Sequence, residues 1–357
     1  MRSNTKGSAL ILVLWIIGLL SMIVVSFAFD AHLEGKILSS SRRRMKAHYY
    51  ALSGFELAKS YIDHSNEITG EETDEEKEED SRYQESSDLH FGKTVTITYG
   101  FKDENDEDIG SVTVDIEPID SLRNVNKLTE EDWERILELV GIPESDWPDL
   151  IDSFFDWTDE DDTERENGAE TEDYYGTLEE PYSAANAPLD SVRELLLIKG
   201  FTESLLTGGI YDPDATGQST LVISNGIERM LTVYGEGKVN INALPNTEVG
   251  RDILMTLPGV DDELIANAIF EEREFGDNLN ASDRDEYRQA FTDEADVHER
   301  LENIVDDTQF FNFISTKSEI FRITSIGSIG RVSKRMSAVV FASGENWRIL
   351  RWSEEAR

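Results

Sequence analysis

SALILVLWIIGLLSMIVVSFAF, running from Ser8 to Phe29, is 22 residues long and carries no charge. At about 1.5 Å of rise per residue, a helix of that length crosses a hydrocarbon core of about 30 Å. Arg2 and Lys6 stand before it, Asp30 and Glu34 after it. Positive charge on the N-terminal side holds that end in the cytoplasm and puts the rest of the chain outside. A cleaved secretory signal would have an apolar run of about 7–15 residues and a small-x-small site. Ser26-Phe27-Ala28 offers such a site, but the run is too long, and the segment is read as a retained transmembrane helix.

Beyond the span, Leu38, Met45, Tyr49, Leu52, Phe55, Ala58 and Ile62 recur at spacings of three, four and seven. That periodicity predicts one apolar stripe on a helix continuing from the membrane into a soluble domain. Arg42-Arg43-Arg44 is read as part of its solvated face. From Asn66 to Asp88 the chain is nearly all polar, with many like charges, and is expected to form a solvated loop. Val95, Ile97, Tyr99 and Phe101 then alternate with polar residues, as do Val112, Val114 and Ile116 across the turn DENDED. This is the pattern of an antiparallel hairpin. Arg322–Ile326, Ser337–Ala342 and Trp347–Trp352 read as closing strands, with turns at Gly327–Gly330 and Gly344-Glu345-Asn346. Strands at both ends of a long, mostly helical middle predict an α+β fold, one α/β domain interrupted by an insertion.

The middle carries an internal repeat. RNVNKL at Arg123–Leu128 and KVNINAL at Lys238–Leu244 each lead into helical stretches that contain LVGIPESDWPDLI or LPGVDDELIANAI. Two related helical modules explain this. Leu257-Pro258-Gly259-Val260 resembles a helix-hairpin-helix turn, in which glycine lets backbone amides approach a phosphate. Asp261, Asp262 and Glu263 flank it where a phosphate binder would have bases, so it is read as a packing turn.

Charge and composition narrow the function. With 33 Lys+Arg against 74 Asp+Glu, the 357-residue chain has a formal net charge of −41, which opposes a nucleic-acid partner held by phosphate neutralisation. There is no cysteine, hence no disulfide, thiolate metal site or cysteine nucleophile. His32, His48, His64, His90 and His298 show no metal-ligand pairing, and no serine sits in a nucleophile-elbow motif. The chain is expected not to be an enzyme.

One stretch is chemically pointed. DWTDEDDTERENGAETED, Asp156 to Asp173, sets ten carboxylates against the single Arg165. Such acids repel unless a cation sits among them, and Ca²⁺, with six to eight oxygen ligands from a flexible loop, suits them. Asp159, Asp161, Thr163, Asn167 and Glu170 partly follow an EF-hand rhythm, but its central glycine is missing. A solvated acidic loop explains the composition equally well; the neighbouring Tyr174, Tyr175 and Tyr182 favour an ordered one. Asp212-Pro213-Asp214-Ala215-Thr216-Gly217 has only the first half of a calcium loop.

The basic leader ending in Gly7, LVLW (Leu12–Trp15), DWTDED (Asp156–Asp161), NGAE (Asn167–Glu170) with Tyr174-Tyr175 behind it, PYSAANAPL (Pro181–Leu189), GKVNINALP (Gly237–Pro245) and LPGV (Leu257–Val260) occur in this order. Together they resemble the minor pseudopilin K family of the type II secretion system, over nearly the whole chain. The resemblance implies a leader at 1–7, cut by the prepilin peptidase between Gly7 and Ser8 with methylation of the mature chain, and a membrane helix at 8–29. It implies a pilin-like core at 30–120 and 317–357, split by an α-helical insertion at 121–316 made of two sterile-alpha-motif-like modules, about 121–200 and 201–316. Minor pseudopilins I and J, the major pseudopilin and the inner-membrane secretion platform are the implied partners. The implied place is the tip of a periplasmic pseudopilus, on an inner-membrane anchor. The family's calcium site carries over onto Asp159, Asp161, Glu170 and Asp173, with Asp156, Asp162 and Glu172 as further candidates.

Two features of the residues fit a cap. The usual pilin has Glu at the fifth mature position, a buried charge that demands a partner; counted from Ser8, this chain has Leu12. A large insertion on a slim core would also block another subunit from stacking above it. A minor pilin of a type IV pilus or DNA-uptake machine is the alternative function.

Overall fold

The computed structural model describes residues 6–68, 82–105, 107–212, 221–275, 290–344 and 346–354. The chain opens with α1 (Lys6–Glu67), α2 (Tyr83–His90), β1 (Val95–Lys102) and β2 (Asp108–Pro118). There follow β3 (Arg123–Asn124), α3 (Glu130–Leu139), α4 (Trp147–Thr158), α5 (Glu203–Thr207), β4 (Gly209–Ile210), β5 (Val222–Ile223) and β6 (Leu231–Thr232). Next come β7 (Val239–Asn240), α6 (Glu248–Met255), α7 (Glu263–Phe275), α8 (Glu294–Leu301) and β8 (Ile314–Ser315). β9 (Ile320–Ile329), β10 (Val332–Ser343) and β11 (Asn346–Glu354) close the chain.

α1 is a single helix of 62 residues. Among the described residues it is the one helix long and apolar enough to cross a membrane, with a mean hydropathy of 2.9 in its apolar window and none of that window buried. Its C-terminal half packs on a sheet of order β1-β2-β9-β10-β11 in which every neighbouring pair is antiparallel. The expected hairpin is there, with Ile97 opposite Val114 and Tyr99 opposite Val112, and the three expected C-terminal strands lie within β9, β10 and β11. Val114, Ile116, Phe321, Ile323, Ala338 and Val340 form the core beneath α1.

The contact face of α1 differs from the expected stripe. Leu38, Met45 and Tyr49 are exposed, and the sheet is met by Ala47, Ala51, Gly54, Ala58 and Ile62. The reason is distance: a Cβ on Gly54 would run into Ser325 Oγ, and one on Gly327 into the Ala47 carbonyl oxygen. Small residues let the two backbones approach. Gly327, expected in a turn, is thus a close-approach glycine inside β9, and the turn falls at Gly330, where φ is +59°.

β2 and β9 are neighbours in the sheet although residues 119–319 separate them, so this whole stretch leaves and re-enters at one end. Gly327 sits at Ala47 and Ser325 Oγ donates to the Ala51 carbonyl. β9 therefore runs from the insertion towards the membrane span, and the insertion occupies the sheet end remote from it.

The internal repeat is visible at atomic detail. Asn124 Oδ1 accepts the Asn126 N–H and Asn240 Oδ1 accepts the Asn242 N–H, both at 3.0 Å. Asn126 then grips the Leu189 backbone in both directions, at 3.0 and 2.8 Å. Asn242 grips Phe291 in the same way, at 2.8 and 3.0 Å. β3 pairs parallel with β6, and β7 parallel with β8. Through the β3–β6 pairing, Leu231 and Thr232 join the first copy, which the resemblance ends at about residue 200. One contiguous apolar core runs through both copies, from Val125 to Ile314. Gly259 adopts φ +77°, and a Cβ there would lie 2.6 Å from Asp307 Cβ, as a packing turn requires.

Candidate functional site

The acidic stretch begins on α4, whose apolar face buries Leu150, Ile151, Phe154 and Trp157. Asp156 lies on the other side of the helix, next to Asp152, and is fully buried beneath the following loop. Its carboxylate accepts the Arg165 N–H at 3.2 Å and the Ala169 N–H at 2.8 Å, so residues 159–168 fold back over the helix end. This approach needs Gly168, because a Cβ there would strike Asp156 Oδ2.

Neighbouring groups pin the loop. Asp152 Oδ2 accepts the Asn167 N–H at 3.1 Å and its side-chain amide at 3.0 Å. Lys199 Nζ donates to the carbonyls of Asn167 and Gly168, at 3.1 and 2.8 Å. Arg165 bonds Glu130 at 2.8 Å. Beneath lie Trp157, Tyr175 and Tyr182, with ring centroids 5.0 Å apart for the first pair and 5.3 Å for the second. Burial drives the Tyr175 hydroxyl far above its ordinary pKa.

Against this order, three side-chain oxygens are buried and take no hydrogen bond: Asp159 Oδ1, Glu170 Oε1 and Asn186 Oδ1. Asn186 holds a positive φ of 45° and donates its amide to the Asp161 carbonyl at 3.1 Å and to Asp162 Oδ1 at 2.9 Å. Burial raises the Asp159 pKa, with repulsion from Asp161 and Asp156 adding to it. Burial also raises Glu170, with repulsion from Asp156, Asp159 and Asp162. Asp156 is raised by burial, which outweighs the two amides it accepts.

The sequence candidates thus separate. Asp159 and Glu170 carry unmet buried oxygens. Asp161 is exposed, with Oδ1 taken by the Thr163 N–H at 2.8 Å, and hydrogen bonds from the Thr163 side chain and backbone lower its pKa. Asp173 and Glu172 are exposed. Asp156 is spent on backbone amides, and Asn167 turns to Asp152, out of the EF-hand rhythm. Asn186, not among the sequence candidates, joins the site; its only signal was an asparagine tolerating positive φ within PYSAANAPL. Among the described residues no three His, Asp or Glu side chains stand in metal-holding geometry. Unmet anionic oxygens held together by a rigid frame nevertheless suit a hard cation. Of the weaker fragment only Asp212 falls among the described residues. Gly7 and Ser8 lie in the first turn of α1.

Residues 114–208 match the family model for the type II secretion system protein K. In fold the chain is similar to a chain of the GspK-GspI-GspJ complex from the enterotoxigenic Escherichia coli type 2 secretion system. That likeness has a TM-score of 0.56 and 15% identity, covering 90% of this chain and 99% of the other. Comparison with curated proteins gave no match. The family match and the shared fold together support the resemblance read from the sequence, to minor pseudopilin K of the type II secretion system.

Proposed function

We propose that the chain is a non-catalytic minor pseudopilin that caps the tip of a periplasmic type II secretion pseudopilus, supporting its assembly and the export of folded proteins. The observation that carries this is the position of the insertion, at the sheet end remote from the membrane helix. A subunit so built has α1 free for lateral packing in a helical bundle and no room above for another copy. Leu12 in place of the usual glutamate supports the same reading. Minor pseudopilins I and J are the proposed partners, as in the complex whose chain it resembles, with the major pseudopilin and the secretion platform beneath. Maturation would cut between Gly7 and Ser8, leaving α1 as an inner-membrane anchor and the rest periplasmic. The two repeats of the insertion are read as sterile-alpha-motif-like.

The acidic loop is proposed to bind Ca²⁺ through Asp159 and Glu170, with Asn186 and with Asp161 and Asp173 closing in from the exposed side. The ion would supply the positive charge that the unmet oxygens lack and fix the loop against the aromatic cluster. The test is deletion of the gene together with co-purification of the full chain in detergent with minor pseudopilins I and J. Loss of secretion and a stable ternary complex are expected. Secretion and pseudopilus length unchanged by the deletion would overturn the reading.

A further inference from the structure

Among the described residues β11 is an edge strand with one neighbour, β10, and no strand pairs with the other side of its nine residues. Its helix-side residues are anchored. Trp347 Nε1 donates to Asp63 at 2.8 Å, and Trp352 packs on Phe55 with ring centroids 4.7 Å apart. On the other face Arg348 lies opposite Phe341 with its guanidinium 4.7 Å from that ring, and Arg351 lies opposite Val339. Ile349, Leu350 and Trp352 are 64%, 41% and 40% exposed. Neither Arg348 nor Arg351 makes an ion pair among the described residues, although the chain carries a net charge of −41.

A long, exposed edge is ordinarily blunted, because it templates pairing with another chain. The opposite edge, β1, faces outward with Thr96 and Thr98, each already bonded to its neighbour on β2. β11, despite a bulge at Leu350, combines side chains anchored on α1, exposed apolar side chains and two cations without an ion pair among the described residues. We infer that β11 is a docking edge for an extended acidic segment of a partner protein, which adds to the sheet as a sixth strand. Main-chain bonds would hold the segment, and Asp or Glu at alternate positions would meet Arg348 and Arg351. A second copy of this chain pairing through its own β11 fits poorly, since it would set Arg348 and Arg351 against the same two arginines.

The test uses the full chain in detergent micelles and a fluorescein-labelled peptide of ten alternating Glu and Val residues, followed by anisotropy at low salt. Saturable binding is expected, weakened about tenfold or more by R348E/R351E, kept by R348K/R351K, and reduced by added salt. A matching Lys-Val peptide should not bind. Circular dichroism and melting of the variants check that the sheet is intact. No saturable binding, or equal affinity in R348E/R351E, would overturn the proposal. Binding seen only after the acids of residues 71–80 are replaced by serine would overturn it too, because the chain's own acidic stretch would then be the occupant.

Discussion

The Asp120 carboxylate accepts the Glu319 N–H at 2.8 Å, joining the point where the chain leaves the sheet to the point where it returns. The same carboxylate accepts from Ser318 Oγ at 2.9 Å, and Asn240 Nδ2 donates to that hydroxyl at 2.6 Å. One acid thus ties β2, β9 and the second repeat together.

Burial raises the Asp120 pKa from 3.8 to about 6, against the hydrogen bonds, led by the Glu319 N–H and Ser318 hydroxyl, that favour its charged form. A raised pKa means that the folded state holds the proton more tightly than the unfolded one. The associated stability is full below 3.8 and is lost as pH rises through about 6. The total is about 3 kcal/mol. D120N keeps an acceptor without the charge, so its unfolding free energy should fall less than the parent's between pH 4 and 7, by about the share that Asp120 contributes. Urea unfolding at several pH values checks this; parallel curves for the two proteins would contradict it.

Gly168 and Asp156 should behave as one unit. G168A forces the loop off the Asp156 carboxylate, and D156A leaves the buried amides of Arg165 and Ala169 without an acceptor; each should cost roughly 2–4 kcal/mol. The double variant should cost clearly less than the two costs added, because alanine at 156 vacates the space that the new Cβ needs. A double-mutant cycle in urea measures the coupling, and additive costs would show that the close approach is not the constraint.

Asp156, Asp159 and Glu170 all have raised pKa values, so without a cation the loop loses stability as pH rises past the ordinary carboxylate values of 3.8 and 4.5. Calcium should reverse this above neutrality by supplying the missing charge. E170Q should melt higher than the parent in chelator, since it removes one repelled charge, and lower than the parent in millimolar calcium, since it removes a ligand. Melts of the full chain in both conditions decide it. An identical shift in calcium for E170Q and the parent would remove Glu170 from the site.

Much of the fold could be read in advance where the pattern depends on apolar alternation, as at Val95–Phe101 and Val112–Ile116. The face of α1 could not, because apolar periodicity rewards large residues such as Met45 and Tyr49, while close packing of helix on sheet rewards the small ones, Ala47, Ala51 and Gly54. The acidic loop stood out by composition alone. Which of its acids are left unmet depends on how Gly168 and Asp156 fold it back, and Asn186 enters only through a backbone conformation. The repeat was legible as Asn-x-Asn. Its cause, a two-way grip on Leu189 and Phe291, involves partners 63 and 49 residues further on.

That grip can be tested site by site. N126A strips two hydrogen bonds from a buried backbone and N242A three, the third to the Thr316 carbonyl, at about 1–3 kcal/mol, with N242A costing more because Asn242 is also buried where Asn126 is partly exposed. Amide exchange should speed at Leu189 in the first variant and at Phe291 in the second. Exchange changing at both sites in either variant would show that the two copies open together.

The repeats are also clasped by a buried ion pair. Arg123 Nη2 donates to Asp132 Oδ1 at 2.6 Å and Nη1 to the Thr256 carbonyl at 3.0 Å, so the first repeat reaches the end of α6 in the second. Asp132 Oδ2 meanwhile accepts the Thr129 N–H at 2.9 Å, completing the capping box of α3. D132A should therefore cost about 3–5 kcal/mol, because it strands a buried guanidinium as well as opening a helix end. R123M/D132A removes the stranded charge, so it should recover part of that loss while the helix end stays open. Thermal melts of the three variants against the parent measure both effects. If R123M/D132A melted no higher than D132A, the cost would lie in the cap alone and the clasp between the repeats would contribute nothing.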